Sequence, residues 1–251
     1  MPKKDTLIFL EKICNNATKK EFHISYNLRE ISNYLESLSS TSRNNIISDS
    51  FWNRYPKNVQ WKKYFPNNVK AHARGISYLI KFIYSNKDKY PKTYNSFLKN
   101  SSGIFLYYAI NYFHGNERMK LAKRGVSSKD LRVKKISARI LPIKFIENLA
   151  NDSDYGVSSI IANRISPSAK PNLFLHSKNN RARFESILAL EPDRDTIFQM
   201  INERLANSKD WRIAREIICL LDKLNDNDIL FFINISGNVK IITDYFKNRL
   251  S

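Results

Sequence analysis

The residues of this 251-residue chain best suited to chemistry are cations, and their chemistry is the neutralisation of phosphate. Ten basic residues stand between Arg118 and Lys144: Arg118, Lys120, Lys123, Arg124, Lys129, Arg132, Lys134, Lys135, Arg139 and Lys144. Asp130 is the only acid among them. A helix over about 129–141 points Val133, Ile136 and Ile140 one way. At about 100° per residue, Arg132, Lys135 and Arg139 then fall within roughly 60° on a neighbouring face. A basic stripe on a rigid helix suits a phosphate backbone. Like charges at these spacings repel slightly in isolation. The plain alternative is a solvated face.

A second basic stretch lies upstream. From Ser50 to Asn86 there is no acid, while Arg54, Lys57, Lys62, Lys63, Lys70, Arg74 and Lys81 alternate with aromatic residues. Of those aromatics, Trp52, Trp61 and Tyr64 are candidates for stacking on unpaired bases. The competing reading is that aromatics pin a loop to the core while the lysines stay solvated around them.

Other chemistries find no constellation. His23, His72, His114 and His176 are isolated, and none has metal-ligand spacing with Cys14 or Cys219. There is no phosphate-cradling glycine loop and no nucleophile elbow. The acidic groups Glu191, Asp193 and Asp195, and Asp222, Asp226 and Asp228, read as helix N-terminal caps. No catalytic residue, metal or cofactor is expected.

Charge placement sharpens the phosphate reading. Residues 1–144 hold 28 Lys+Arg against 9 Asp+Glu, whereas residues 145–251 hold 14 of each. Such asymmetry suggests a polyanionic partner, DNA or RNA, or else a generally basic surface. Lys, Asn, Ile, Tyr and Phe are abundant, as an AT-rich genome encodes, so compositional drift accounts for part of the lysine. Cys14 and Cys219 have apolar neighbours and read as core thiols in a reducing compartment. The first residues start basic, but Glu11 and Lys12 break the apolar run, which makes an amphipathic helix rather than a signal peptide. The longest apolar stretch, Ile104 to Phe113, is about half the length of a membrane span and reads as a buried helix. A soluble, cytoplasmic protein with no membrane partner is expected, free or within a particle assembled in the cytosol.

With only 6 glycines, the elements that position these residues should be helices. Helices are predicted over 5–17 and 27–39, the latter burying Leu28, Ile31, Tyr34, Leu35 and Leu38. Further helices are predicted over 44–54, 68–85 and 90–100, the last opened by Pro91. Ser101 or Ser102 caps another that runs to Tyr112 and stops at His114-Gly115. Gly115 is the candidate boundary between a basic helical region, 1–115, and a C-terminal region, 116–251.

The C-terminal region is repetitive. Leu121-Ala122 leads to Asp130, Arg132 and Val133. Leu149-Ala150 leads to Asp154 and Val157, and Leu205-Ala206 to Asp210 and Ile213, with a weaker copy around Asn179 and Phe184. The anchors Val133, Val157, Phe184 and Ile213 are 24, 27 and 29 residues apart. In each unit a first helix ends in Leu-Ala, Asp or Asn caps the next, and the anchor opens its buried face. Units too small to bury their own apolar side come in series.

The run LANDSDYGVSSIIANRISPSAKPNLFLH, residues 149–176, resembles the leucine-rich repeat variant, a HEAT-like helical repeat. Leu149, Ala150, Asp152, Val157, Ala162, Pro167, Pro171 and Leu175 follow the family's order, as do Asp210, Arg212 and Ile213 later and Asp130, Arg132 and Val133 earlier. Ser158 stands where a basic residue is usual, and Ile165-Ser166-Pro167 replaces a plain Asn-Pro. Some members carry an N-terminal cysteine cluster for an iron–sulfur centre; Cys14 stands alone here, so that cofactor is not implied. The resemblance covers about 117–225. It implies a short HEAT-like α-solenoid and a scaffold role, with no particular activity.

The expectation is therefore an all-α protein, with a basic helical N-terminal region followed by that solenoid. Its first expected function is non-catalytic nucleic-acid binding through Arg54, Lys62, Lys63, Lys70, Arg74, Arg118, Lys123, Arg124, Arg132, Lys135 and Arg139. The alternative is a scaffold for a protein partner or a structural subunit of a larger assembly, such as a viral one. A minor alternative is a HEAT-like glycosylase that removes alkylated bases from DNA, with Trp52, Trp61 and Trp211 lining the site and no matching motif.

Overall fold

The computed structural model describes residues 21–48, 69–206, 211–236 and 239–250, and all regular structure among them is helical. The helix expected over 5–17, with Cys14, lies outside the described residues. So do Trp52, Arg54, Trp61, Lys62, Lys63 and Tyr64.

The chain divides into two compact units, Met1–Ile165 and Ser166–Ser251. In the first lie α1 (Glu21–Ser37), α2 (Ser40–Ser48), α3 (Val69–Ser85), α4 (Pro91–Asn100), α5 (Gly103–Tyr112), α6 (Gly115–Gly125), α7 (Leu131–Ile140) and α8 (Tyr155–Ala162). The second holds α9 (Asn180–Ala189), α10 (Arg194–Leu205), α11 (Trp211–Leu221), α12 (Asp226–Ser236) and α13 (Lys240–Leu250). Gly115 falls inside the first unit. Its backbone takes φ +55°, which glycine adopts without steric cost, and this turns the chain so that α6 packs back on α5. α7 packs against both helices.

Local periodicity sets the core of the first unit. α1 buries Leu28, Ile31 and Leu35, with Tyr34 and Leu38 half-buried. α3 buries Ile76, Leu79, Ile80 and Ile83, and α5 buries Ile104, Phe105, Leu106, Ala109 and Ile110. In the second unit Phe184, Ile197, Ile201, Leu220, Leu221, Ile229 and Phe232 share one cluster. Cys219 corrects the expectation of a core thiol, because it is exposed. Ile217, Leu220 and Leu221 take the inner face of α11, and helical spacing turns residue 219 outward.

Polar closure at the helix ends fixes the packing. The first N–H groups and last carbonyls of a helix lack intrahelical partners. The residue before α4 is Tyr90, whose side chain makes no cap, so α1 supplies one. The Glu36 carboxylate accepts from the Lys92 N–H at 3.0 Å, the Thr93 N–H at 2.9 Å and the Thr93 hydroxyl at 2.7 Å. At the other end of α4, the Arg124 guanidinium donates to the carbonyls of Leu98 and Ser101, each at 2.6 Å. Arg43, only 3% exposed, closes α1 through the carbonyls of Leu35, Glu36 and Leu38. Arg118 donates to the Ile110 carbonyl of α5, and Arg164 to the Ala138 and Leu141 carbonyls of α7.

Side-chain caps and buried residues recur at several helix starts. Asp130 accepts from the Arg132 N–H, Asp154 from the Val157 N–H, Asn179 from the Ala182 N–H and Asp193 from the Thr196 N–H. Val133, Val157 and Phe184 are buried. One part of the expectation is corrected: Leu149-Ala150 ends a 3-10 turn, Glu147–Asn151, rather than an α-helix. Pro142 forces Leu141 into an extended conformation and ends α7. The short path from there to Asp154 is crossed by this turn and another at Ile143–Phe145.

Two outcomes are expected. A Cβ at Gly125 meets the Ser137 Oγ at 2.1 Å and the Val133 Cγ1 at 3.0 Å, so α6 and α7 touch backbone to side chain there. Gly125→Ala should cost about 1–3 kcal/mol by chemical denaturation, and adding Ser137→Ala should recover part of it. Burial opposes ionisation of Glu36, yet the bonds from Thr93 and Lys92 outweigh it and hold the carboxyl below its ordinary value. A lowered folded-state pKa contributes stability that is present above the unfolded value and lost as pH falls through the folded one. Glu36→Gln should cost about 1–2 kcal/mol at neutral pH and flatten the acid limb below the ordinary value of 4.5 in a melt-versus-pH series.

Candidate nucleic-acid interface

The outer face of α7 is where the sequence-predicted cations meet the structure. Arg132 is 44% exposed at its side chain and held by Asp130, with Nε 3.1 Å from Oδ1 and Nη2 2.7 Å from Oδ2. The hydrogen bond to Asp130 raises the guanidinium pKa and fixes its charge. The fork uses one edge of the guanidinium and leaves Nη1 without a protein acceptor among the described residues. Lys135 reaches across Gly156 to place Nζ 3.0 Å from the Asp154 Oδ1. That contact, with the Val157 and Gly156 N–H groups, holds the Asp154 carboxyl below its ordinary range. Arg139 is exposed and makes no ion pair among the described residues.

Lys134 belongs to the opposite side of the helix. Its Nζ sits 2.8 Å from the Asp152 Oδ2, with side chains 18% and 9% exposed. This pair clamps α7 to the turn before α8.

The other cations named from the sequence divide in the same way. Arg118 and Arg124 point inward at backbone carbonyls. Arg74 is exposed on α3, and Lys70 lies in the first turn of that helix. Lys123 is exposed and places its ammonium 4.2 Å from the centroid of Phe145, with the Lys144 ammonium 5.3 Å from the same ring. The surface group is therefore Arg74, Lys123, Arg132, Lys135 and Arg139.

The structure adds aromatic residues that the sequence analysis did not single out. α5 shows Tyr107, Tyr108 and Tyr112 on its partly exposed side. Tyr108 and Tyr112 lie 6.4 Å apart at 25°, and Tyr107 meets Tyr108 edge-on at 5.1 Å. The Tyr112 hydroxyl is 2.7 Å from the Ser77 Oγ of α3. α5, which carries Tyr107 and Tyr108, packs against α7, which carries Arg132. Burial, then the neighbouring phenols Tyr107 and Tyr112, push the Tyr108 phenol up, so it stays protonated at neutral pH. Beyond Lys135, the first residue of α8, Tyr155, is 62% exposed and follows the Asp154 that holds the lysine. Tyrosines are thus carried by both α5 and α8, the helices that pack against α7. Their spacing was the available signal, since 107, 108 and 112 form one strip of an otherwise apolar helix.

The unit carrying this face also carries the charge. Residues 1–165 hold 29 Lys+Arg against 12 Asp+Glu, and residues 166–251 hold 13 against 11. Among the described residues no three His, Cys, Asp or Glu side chains gather in a way that would hold a metal ion. Compared with protein-family models, curated proteins and solved structures, the chain matches none.

The inward and outward arginines should separate by experiment. Arg124→Gln leaves two helix-terminal carbonyls without their charged donor and should lower stability by about 1–3 kcal/mol. Arg139→Gln should leave the melt unchanged within roughly 0.5 kcal/mol. Equal melts for the two variants would refute the division.

Proposed function

We propose that this chain is a non-catalytic nucleic-acid-binding protein that meets the phosphate backbone through the outer face of α7. The observation that carries this reading is the placement of Arg132, Lys135 and Arg139 on one rigid helix face, in the unit that holds nearly all the net positive charge. Arg132 keeps Nη1 available, Arg139 has no ion pair among the described residues, and Lys135 is held at the surface by a single carboxylate. Exposed charge of this kind neutralises phosphates and releases counterions without reading sequence. Arg74 and Lys123 extend the same potential. The HEAT-like reading of residues 117–225 joins this proposal as its frame. The successive Asp130, Asp154 and Asn179 caps and the buried Val133, Val157 and Phe184 anchors support it. We place the protein in the cytoplasm. Among the described residues no helix is long and apolar enough to cross a membrane.

A second reading, a scaffold for a protein partner, has its own observation. α12 leaves Leu230, Phe231 and Ile235 between 44% and 59% exposed, in the unit of nearly balanced charge. An apolar strip of this kind suits a protein surface rather than phosphate.

For the first reading, the logarithm of the binding constant for a nucleic acid should fall linearly with the logarithm of salt, by about 0.9 per phosphate contact on duplex DNA. Arg139→Gln should reduce that slope by about one contact, and Arg132→Gln with Lys135→Gln should reduce it further. Salt-insensitive binding, or an unchanged slope in the triple variant, would overturn the reading. The ratio of absorbance at 260 and 280 nm before and after a high-salt wash separates the two readings, because only a bound nucleic acid lowers it on washing.

A further inference from the structure

We propose that the tyrosines flanking the α7 face form a stacking platform for unpaired bases, so that the ligand of that face is single-stranded nucleic acid. This rests on the phosphate reading above and adds to it the class of strand.

A phenol ring has apolar faces that favour burial, yet Tyr107, Tyr108 and Tyr112 share the partly exposed side of α5, and Tyr155 is mostly in solvent. The three rings of α5 are also held. Tyr112 is tied to Ser77, Tyr108 lies between Tyr107 and Tyr112, and Arg132 beside them is fixed by the Asp130 fork. Rings and guanidinium are thus ordered before any ligand arrives, which lowers the entropy cost of binding.

The flanking charge narrows the partner. A flat ring beside a cation gives a base its face and the adjoining phosphate its counter-ion in one step. A duplex hides its base faces and offers only edges in its grooves, so tyrosine rings lying on a helix surface find nothing there to stack on. A single strand exposes both parts together. The protonated Tyr108 phenol adds a donor at neutral pH.

The test uses the full chain with three labelled ligands of equal length: an oligothymidine 20-mer, the same backbone with abasic sites throughout, and a 20-base-pair duplex. Fluorescence anisotropy at one salt concentration should show the base-bearing strand binding about tenfold or more tighter than the abasic one. Tyr107→Leu with Tyr108→Leu should remove most of that preference while leaving the abasic strand's affinity and salt slope unchanged. Tyr108→Phe should keep it. Equal binding of base-bearing and abasic strands by the unaltered protein, or tighter binding of the duplex, would overturn the platform; salt-dependent abasic binding would then leave the phosphate reading standing. A base preference that survives the double leucine variant would also overturn it, since the stacking rings would lie elsewhere. Failure to bind any of the three ligands removes both readings.

Discussion

A chain made of short helices multiplies helix ends, and here the carbonyls at those ends are closed by arginine. Arg43, Arg118, Arg124 and Arg164 each donate to carbonyls at the end of an earlier helix in the first unit. Arg249 does so in the second, reaching the Leu224 carbonyl at 3.0 Å while its Nε pairs with Asp226 at 3.0 Å. Glycine is the usual device for such ends, and this chain has only 6. A planar fork of five donors bridges two carbonyls at once and suits the negative end of the helix dipole. The start of α4 is closed in the same long-range fashion by Glu36. Helix ends thereby become tertiary contacts, and removing one loosens two elements.

This use of arginine sorts the surface. The donors that inward arginines give to carbonyls are not free for a polyanion. Most lysines of the first unit stay outside, since Lys81, Lys87, Lys89, Lys92, Lys99, Lys120, Lys129 and Lys144 are exposed while Lys134 and Lys135 are partly buried in ion pairs. The division follows hydration, since an ammonium holds water tightly and a guanidinium gives it up more readily. Arg132 and Arg139, like Arg29 and Arg74, are arginines of the first unit that stay at the surface.

Periodic features were legible from sequence because they are local. The spacing of Leu28, Ile31 and Leu35, the Asp caps at 130 and 154, and Pro91 at the start of α4 each act within one or two turns. Long-range partners were not legible. The ion pairs of Lys134 with Asp152 and Lys135 with Asp154 join residues of different elements, and a charge count that stops at Lys144 misses both carboxylates. Arg118 and Arg124 looked like part of a basic run because nothing local shows that a carbonyl from another helix lies within their reach. The tyrosines of α5 were hidden by hydropathy, since a tyrosine reads as apolar whether its ring faces core or solvent. The two 3-10 turns between Pro142 and α8 carry no local signal that distinguishes them from an α-helix.

Gly156 shows how volume governs potential in this molecule. A Cβ there would lie 2.6 Å from the Lys135 Nζ and 2.8 Å from its Cε, along the path the side chain takes to Asp154. A single methyl group, with no charge of its own, would push the ammonium away from its counter-ion and set it loose over the surface. The same carbon would lie 3.1 Å from the Asp154 Oδ1 that caps α8, and the outer face would gain a mobile cation. The absence of one carbon atom therefore keeps a charge leashed, and the field of α7 depends on a residue that has no side chain.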